Sequence, residues 1–302
     1  MRRLTRFLAV LAVIGMAVFW FVTRPGYVDP DAVAGLSGDA TRGAVVFHAG
    51  GCASCHAAPG AEGDAKLILA GGKAFPSDFG TFYAPNISPA AAGLAAWDAN
   101  DLANAMIKGT SPEGTHYYPA FPYGSYVRTS LQDIVDLKAF LDTLPADETA
   151  NRPHDVGFPF SWRRVIGGWK VLFFRDDWQV AVTTDAEARG RYLVEGLGHC
   201  AECHTSRNML GGLVRSQWMA GGPNPDGRGR VPNITPHDSG IGSWSDLDIA
   251  GYLSSGFTPS FDVAGGQMAE VGENLAKLPE ADRLAIVAYL KLLLPLPSVS
   301  ER

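Results

Sequence analysis

The chain has few cysteines, few charged side chains and no excess of basic residues. Only four of its 302 residues are cysteine, and 25 Lys and Arg stand against 31 Asp and Glu, for a formal net charge of -6. This balance argues against a nucleic-acid-binding protein, because such proteins carry a basic patch that meets the phosphates. The sequence also lacks the alternating runs of an all-β chain, a Ser-His-Asp set, a phosphate-binding loop and a dinucleotide fingerprint.

What is present indicates packed units with many turns. The hydrophobic fraction is 46%, and there are 35 Gly and 20 Pro. The length, divided by a typical domain of about 150 residues, predicts two domains. We therefore expect two cores with long loops wrapped around them.

The N-terminus carries a basic segment followed by an apolar one. Arg2, Arg3 and Arg6 precede an uncharged run from 7 to 22. The run ends in bulky and aromatic residues rather than in the small residues of a cleavage site, which favours a membrane anchor over a cleaved signal for residues 1–26. Because basic flanks stay on the cytoplasmic side, we expect the rest of the chain to be exported.

All four cysteines lie in two C-x-x-C-H motifs. The residues are Cys52, Cys55 and His56 in the first motif, and Cys200, Cys203 and His204 in the second. Two thiols at this spacing can each form a thioether with a vinyl group of haem, and the next residue places an imidazole on the iron as proximal ligand. The motifs therefore predict two covalently attached haem c groups. A zinc site or redox dithiols would not explain the histidine after each pair.

The two motifs belong to an internal repeat. Cys200 follows Cys52 by 148 residues, and Trp244 follows Trp97 by 147. Each half ends in a segment with apolar residues at helical spacing. We therefore predict a mainly α fold with one haem domain in each half. The predicted boundaries are 36–147 for domain 1, 148–186 for an aromatic-rich interdomain connector and 187–297 for domain 2.

The second half offers a methionine as the sixth ligand of its iron. A thioether is the usual ligand in an electron carrier, because it favours the ferrous state and raises the potential. Met268 lies in a Gly-Gly-Gln-Met loop, which can fold over the far face of the porphyrin. Met209 and Met219 follow His204 too closely to reach that face. We therefore predict that Met268 is the ligand.

The first half differs at the equivalent position. Subtracting the offset of 147 from 268 gives 121, which is Phe121, and a phenyl ring cannot ligate iron. Three arrangements are open: His116 as the sixth ligand of haem 1, Met106 in the same role, or an iron left five-coordinate or bound by water behind Phe121. His48 lies too close to Cys52 to be a distal ligand.

Together these motifs resemble a known family. Their order is C-x-x-C-H, Pro-Asn-Ile-Ser, Tyr-Pro-Ala-Phe-Pro-Tyr, an aromatic connector, a second C-x-x-C-H and Gly-Gln-Met-Ala-Glu. Over roughly residues 40 to 295 this is similar to the cytochrome c subunits of bacterial periplasmic dehydrogenases, such as alcohol and gluconate dehydrogenase. Members often have three haem domains and a methionine where this chain has Phe121.

The resemblance implies a fold, a location and partners. The fold would be two tandem class I cytochrome c domains behind an N-terminal anchor helix, on the periplasmic face of the bacterial inner membrane. The electron donor would be a periplasmic dehydrogenase, and the acceptor would be quinone, another cytochrome or an oxidase of the respiratory chain.

An enzyme is the second functional hypothesis. A dihaem peroxidase-like or oxidase-like enzyme keeps one haem open to substrate and uses the other to supply electrons. Phe121 supports this hypothesis, whereas the repeat and the Tyr-Pro-Ala-x-Pro-Tyr loop favour the electron carrier. The basic, aromatic connector is expected to pack between the domains rather than on a membrane surface.

Overall fold

The computed structural model describes residues 1–224 and 229–300, and these are mainly helical, as predicted. The α-helices are α1 Arg2–Val22, α2 Asp31–Ala34, α3 Ala40–Ala49, α4 Cys52–His56, α5 Ala99–Ala103, α6 Tyr123–Tyr126, α7 Leu131–Leu141, α8 Arg164–Phe173, α9 Asp185–Arg191, α10 Ala201–His204, α11 Asp246–Ser255, α12 Gln267–Leu275 and α13 Glu280–Leu292. Shorter 3₁₀ turns cover Gly63–Leu67 and Arg215–Gln217, and π-helical turns cover Asn104–Lys108 and Tyr192–Leu197.

Two small antiparallel hairpins accompany the helices. Strand β1, Ala74–Ser77, pairs with β2, Gly80–Tyr83, so that Phe75 faces Phe82 in register. Strand β3, Gly222–Pro223, pairs with β4, Arg230–Val231. Neither hairpin forms a layer of its own, because each has only two short strands.

In the first half, α3 crosses α7 at backbone contact. A Cβ atom on Gly43 would lie 2.0 Å from the carbonyl oxygen of Asp136, so only glycine fits at the crossing. The neighbouring Arg42 binds the Asp136 carboxylate through two nitrogens, at 2.7 Å and 2.8 Å. Phe47, on the same helix, is fully buried in the core and packs on the ring of Phe140.

The second half repeats this crossing with α9 and α13. A Cβ atom on Gly190 would lie 1.9 Å from the carbonyl oxygen of Ala285. Arg189 binds Asp282 through two nitrogens, at 2.8 Å and 2.7 Å. Gly190 follows Gly43 by 147 residues, so the sequence repeat corresponds to a repeat of the helix crossing.

The connector helix α8 contacts both halves and the end of α1. Its Trp169 lies against the ring of Tyr123 in the first half and donates its indole N–H to the carbonyl of Leu210 in the second, at 2.9 Å. Arg164 donates to the hydroxyl of Thr23, just beyond α1. Trp169 of the connector therefore joins the two halves.

Helix α1 is exposed along its length in the folded chain. Its 21 residues would span roughly 30 Å at 1.5 Å each, the thickness of a bilayer core. By length and composition it is apolar enough to cross a membrane, a test that a signal sequence also passes. The next residue, Thr23, is buried.

Candidate haem-binding sites

The first C-x-x-C-H motif forms one helical turn, and a backbone carbonyl orients its histidine. His56 closes α4, and its Nδ1 lies 2.8 Å from the carbonyl oxygen of Pro85. Since a carbonyl only accepts, Nδ1 carries the proton and Nε2 keeps its lone pair. Burial lowers the pKa of His56, which further favours the neutral ring. The side chain is therefore prepared to ligate a metal through Nε2.

The second motif has the same geometry. His204, at the end of α10, places Nδ1 2.8 Å from the carbonyl oxygen of Pro232, and burial lowers its pKa as well. The two supporting prolines are 147 residues apart in the chain. A backbone carbonyl thus fixes the tautomer and the ring orientation in both halves.

The first cysteine of each motif is held as a protonated thiol by burial. Burial raises the pKa of the Cys52 and Cys200 thiols to about 12 each, so neither is a ready thiolate. None of the four cysteines is in a disulfide. Among the described residues, no group of three or more His, Cys, Asp and Glu lies close enough together to hold a metal ion.

Phe121 lies in an aromatic cluster in the first half. Its ring centroid is 5.9 Å from that of Tyr117 and 5.6 Å from that of Tyr126. Met106 is buried in the hydrophobic core, and the residue 147 positions later, Leu253, is buried there too. Met106 thus stands where the second half uses a leucine for packing.

His116 lies beneath the end of α1. It is buried, and its Nε2 lies 2.8 Å from the carbonyl oxygen of Thr23. Burial lowers the pKa of this histidine, so the ring is neutral with the proton on Nε2. Nδ1 is buried without a hydrogen-bond partner. Ligation through Nε2 would require the bond to Thr23 to break.

The methionines of the second half have three different environments. Met268 is half-buried at the second position of α12. Met209 is 94% exposed to solvent, and Met219 is fully buried in the hydrophobic core. Ile87 and Ile234 are equivalent residues of the repeat. The first donates its backbone N–H to the carbonyl oxygen of Leu69 and the second to that of Met219, so Met219 takes the place of a core leucine.

The segments that precede the two motifs lie against each other. A Cβ atom on Gly50 would be 3.8 Å from the carbonyl oxygen of Leu197, and one on Gly198 would be 3.7 Å from that of Ala49. These two contacts exchange under the 148-residue offset, so the halves meet with approximate twofold symmetry.

Two rings close this junction, and motif analysis missed them. His199 Nε2 lies 3.3 Å from the carbonyl oxygen of Gly50, and the ring of Tyr126 packs edge-on against His199 at 5.6 Å. The one available signal was the position of His199 directly before Cys200. Nothing local to Tyr126 indicates its partner, which is 73 residues away.

Helix α12 reaches across to the first motif. Asn274 donates to the hydroxyl of Ser54 at 3.0 Å, and Lys73 pairs with Glu270 at 3.1 Å. The helix that carries Met268 is therefore docked on the helix that carries the first cysteine pair.

The family model for cytochrome c matches residues 40–145 of this chain. The protein named "Diheme cytochrome c-type" from Cereibacter sphaeroides is 56% identical over 292 residues, which are 96% of this chain and 97% of that protein. The chain belongs to the dihaem c-type cytochromes. This dihaem cytochrome carries two covalently attached haem c groups, for which its two cysteine pairs provide the attachment chemistry.

The dihaem cytochrome is also homologous to electron-transfer subunits of dehydrogenases. It is 36% identical over 266 residues to the fructose dehydrogenase cytochrome subunit of Gluconobacter japonicus, covering 83% of this chain and 52% of that subunit. It is 31% identical over 272 residues to the cytochrome c subunit of the quinone alcohol dehydrogenase of Gluconobacter oxydans, covering 86% and 55%. The chain thus spans about half the length of these two subunits.

Proposed function

We propose that this cytochrome is a membrane-tethered electron carrier. It accepts electrons from a periplasmic dehydrogenase and passes them to quinone, another cytochrome or an oxidase of the respiratory chain. Its relatives are named as subunits of fructose and alcohol dehydrogenases, which supports a dehydrogenase as the electron donor. The carrier consists of two class I cytochrome c domains, at 36–147 and 187–297, with 148–186 between them.

The observation that carries the proposal is the junction of the two attachment segments. Gly50 and His199, which adjoin the two cysteine pairs, are in direct contact at 3.3 Å. Two one-electron centres attached on either side of such a contact are suited to exchange electrons within the chain. When bound, the haem irons supply the redox chemistry, and the protein binds them, orients their histidines and sets their polarity.

The proposed ligands differ between the two irons. His56 and His204 are the proximal ligands, and Met268 is the sixth ligand of haem 2. For haem 1 we propose an iron without a protein ligand in the sixth position, covered by Phe121. The bond from His116 Nε2 to Thr23 and the packing role of Met106 support this choice over ligation by that nitrogen or by the Met106 sulfur.

Helix α1 is proposed as an uncleaved anchor in the bacterial inner membrane. Thr23 at its end is buried and bonded to both His116 and Arg164. Arg164 also donates to the backbone carbonyl of Trp20 within α1, and removal of α1 by a signal peptidase would break that bond. The haem domains would then lie on the periplasmic face, because the basic residues in the first two turns of α1 stay in the cytoplasm.

Rapid mixing of the purified, reduced protein tests the carrier. A carrier gives up one electron per haem to a soluble ferric cytochrome c and reacts with hydrogen peroxide only slowly. The unligated iron proposed beside Phe121 also suits the peroxidase-like alternative. Sustained turnover with peroxide and an electron donor would contradict the electron-carrier proposal and support the peroxidase-like enzyme.

A further inference from the structure

The loop that leads to Met268 exposes a set of apolar side chains. We call this the distal patch: Phe257 is 52% exposed, Phe261 88% and Val263 60%. Phe257 and Val263 are paired across the base of the loop by an antiparallel bridge. Phe261 at the tip has a backbone φ of 63°, a left-handed conformation that favours Gly or Asn over an aromatic residue. Exposed apolar clusters of this kind mark interaction sites.

The equivalent loop in the first half is covered by other parts of the chain. Thr110 and His116 form the same antiparallel bridge 147 residues earlier, and both are buried. Thr23 bonds to His116, and Lys170 of α8 donates to the carbonyl oxygen of Gly109 at 2.8 Å. The paired residues of the covered loop, Thr110 and His116, are polar. The equivalent residues of the uncovered loop, Phe257 and Val263, are apolar. That inversion indicates that the distal patch also receives a cover.

Charge indicates what kind of cover this is. Between 231 and 276 the chain has six acidic residues and no Lys or Arg, the acids being Asp238, Asp246, Asp248, Asp262, Glu270 and Glu273. The last two pair with Lys73 and Lys66 of the first half, and Asp246 lies 4.0 Å from Lys291. Asp262 lies in the distal patch itself, directly after Phe261.

The existing cover of the first half has the complementary composition. From 162 to 175 the connector contains four basic residues and no acidic one, together with aromatic side chains. The basic residues are Arg163, Arg164, Lys170 and Arg175. A basic, aromatic surface thus covers this loop in the half where the cover is part of the chain.

We propose that the distal patch is the docking surface for a redox protein with an apolar contact face surrounded by basic side chains. This extends the proposed electron carrier by placing its exchange with that partner at haem 2, beside Met268. An anionic lipid surface is disfavoured by the acidic residues of the segment. A second copy of the chain is disfavoured because its own basic, aromatic helix already covers the first half.

Binding to a small soluble cytochrome c with lysines around its haem edge tests the proposal. The full-length, haem-loaded protein in detergent is passed over the immobilised probe, with both proteins oxidised so that no electron transfer contributes. Phe261→Asn should weaken binding about tenfold, as for a central apolar contact. Asp262→Asn should weaken it about threefold at low salt and hardly at all at high salt.

Matched substitutions away from the patch are the controls. Met209→Asn removes an apolar side chain that is 94% exposed, and Asp176→Asn removes an exposed charge of the connector. Neither should change binding. Val263→Thr, which keeps the β-branched shape, should weaken binding as Phe261→Asn does and guards against a folding defect at the loop tip.

The outcomes distinguish a failure of the docking proposal from a failure of the electron-carrier proposal. If the patch variants bind the probe as well as the native protein does, the docking proposal is wrong, even if electrons still pass between the two proteins. If binding depends on the patch but the reduced protein never transfers electrons to the probe, the carrier proposal fails and the docking surface stands. Dimerisation that Phe261→Asn abolishes, or binding to anionic vesicles that it abolishes, would overturn the assignment to a redox protein.

Discussion

The two halves share a helix crossing and a histidine support but differ in the loop across from the histidine. In the first half that loop has Phe121 and lies under α8 and the end of α1. In the second it exposes the distal patch and then leads to Met268. The repeat therefore preserves the elements that hold the attachment motif, whereas the loop that carries the proposed ligand and the proposed docking surface differs between the halves.

The largest expected effect comes from replacing the glycine at the helix crossing in each half. Gly43→Ala and Gly190→Ala each place a Cβ atom within about 2 Å of a backbone oxygen. Each should lower the free energy of unfolding by about 3 kcal/mol or more, because neither helix can move away without losing its core contacts. Chemical denaturation followed by circular dichroism measures this.

A third glycine is the control for that experiment. A Cβ atom on Gly251 in α11 would meet no atom within 4 Å. Gly251→Ala should leave stability unchanged or raise it by up to about 1 kcal/mol through helix propensity. Equal destabilisation by all three substitutions would show that the crossing has no special role.

The ligand difference is tested next by removing the sulfur. Met268→Ala should abolish the far-red sulfur-to-iron absorption band of the oxidised protein and lower the potential of haem 2, since methionine ligation raises it. Met209→Ala is the matched control and should leave both unchanged. Persistence of the band in Met268→Ala would reject this ligand.

The reverse substitution sharpens the same comparison. Phe121→Met should roughly double that band and convert the iron of haem 1 from high spin to low spin. EPR of the oxidised protein measures the spin state. Phe121→Leu, which is apolar without sulfur, should do neither. A native haem 1 that is already low spin, and becomes high spin in His116→Ala, would restore His116 as its ligand.

The smallest expected effect concerns the cover of the first half. Burial lowers the pKa of Lys170 to about 7, against about 10.4 for an unfolded lysine. Between these values the unfolded chain holds a proton that the folded chain has lost. The free energy of unfolding should therefore rise with pH in this window, by at most about 1.4 kcal/mol per pH unit.

Lys170→Met removes this contribution and should flatten the profile. Urea unfolding of both proteins between about pH 7 and about pH 10 compares the two slopes. Parallel slopes would mean that Lys170 is charged in the folded protein throughout this range.

The sequence predicted the C-x-x-C-H turn of each site, which is local in the chain. The supporting proline and the glycine at the crossing also recur, at an offset of 147 against 148 for the cysteines, but their roles were not predicted. The contact of His116 with Thr23 and that of Tyr126 with His199 join residues 93 and 73 positions apart. Such pairs are set by how the halves and α1 pack, and no local pattern records them.

The buried end of α1 has a mechanical consequence. A tether usually lets a domain turn freely above a membrane, but Thr23 is bonded to the first half at 2.8 Å and to α8 at 2.9 Å with no linker between. With α1 in the bilayer, the height and tilt of the first half are fixed by the helix itself. The molecule would then present one constant face to anything that diffuses along the membrane, and its partners must approach in the matching orientation.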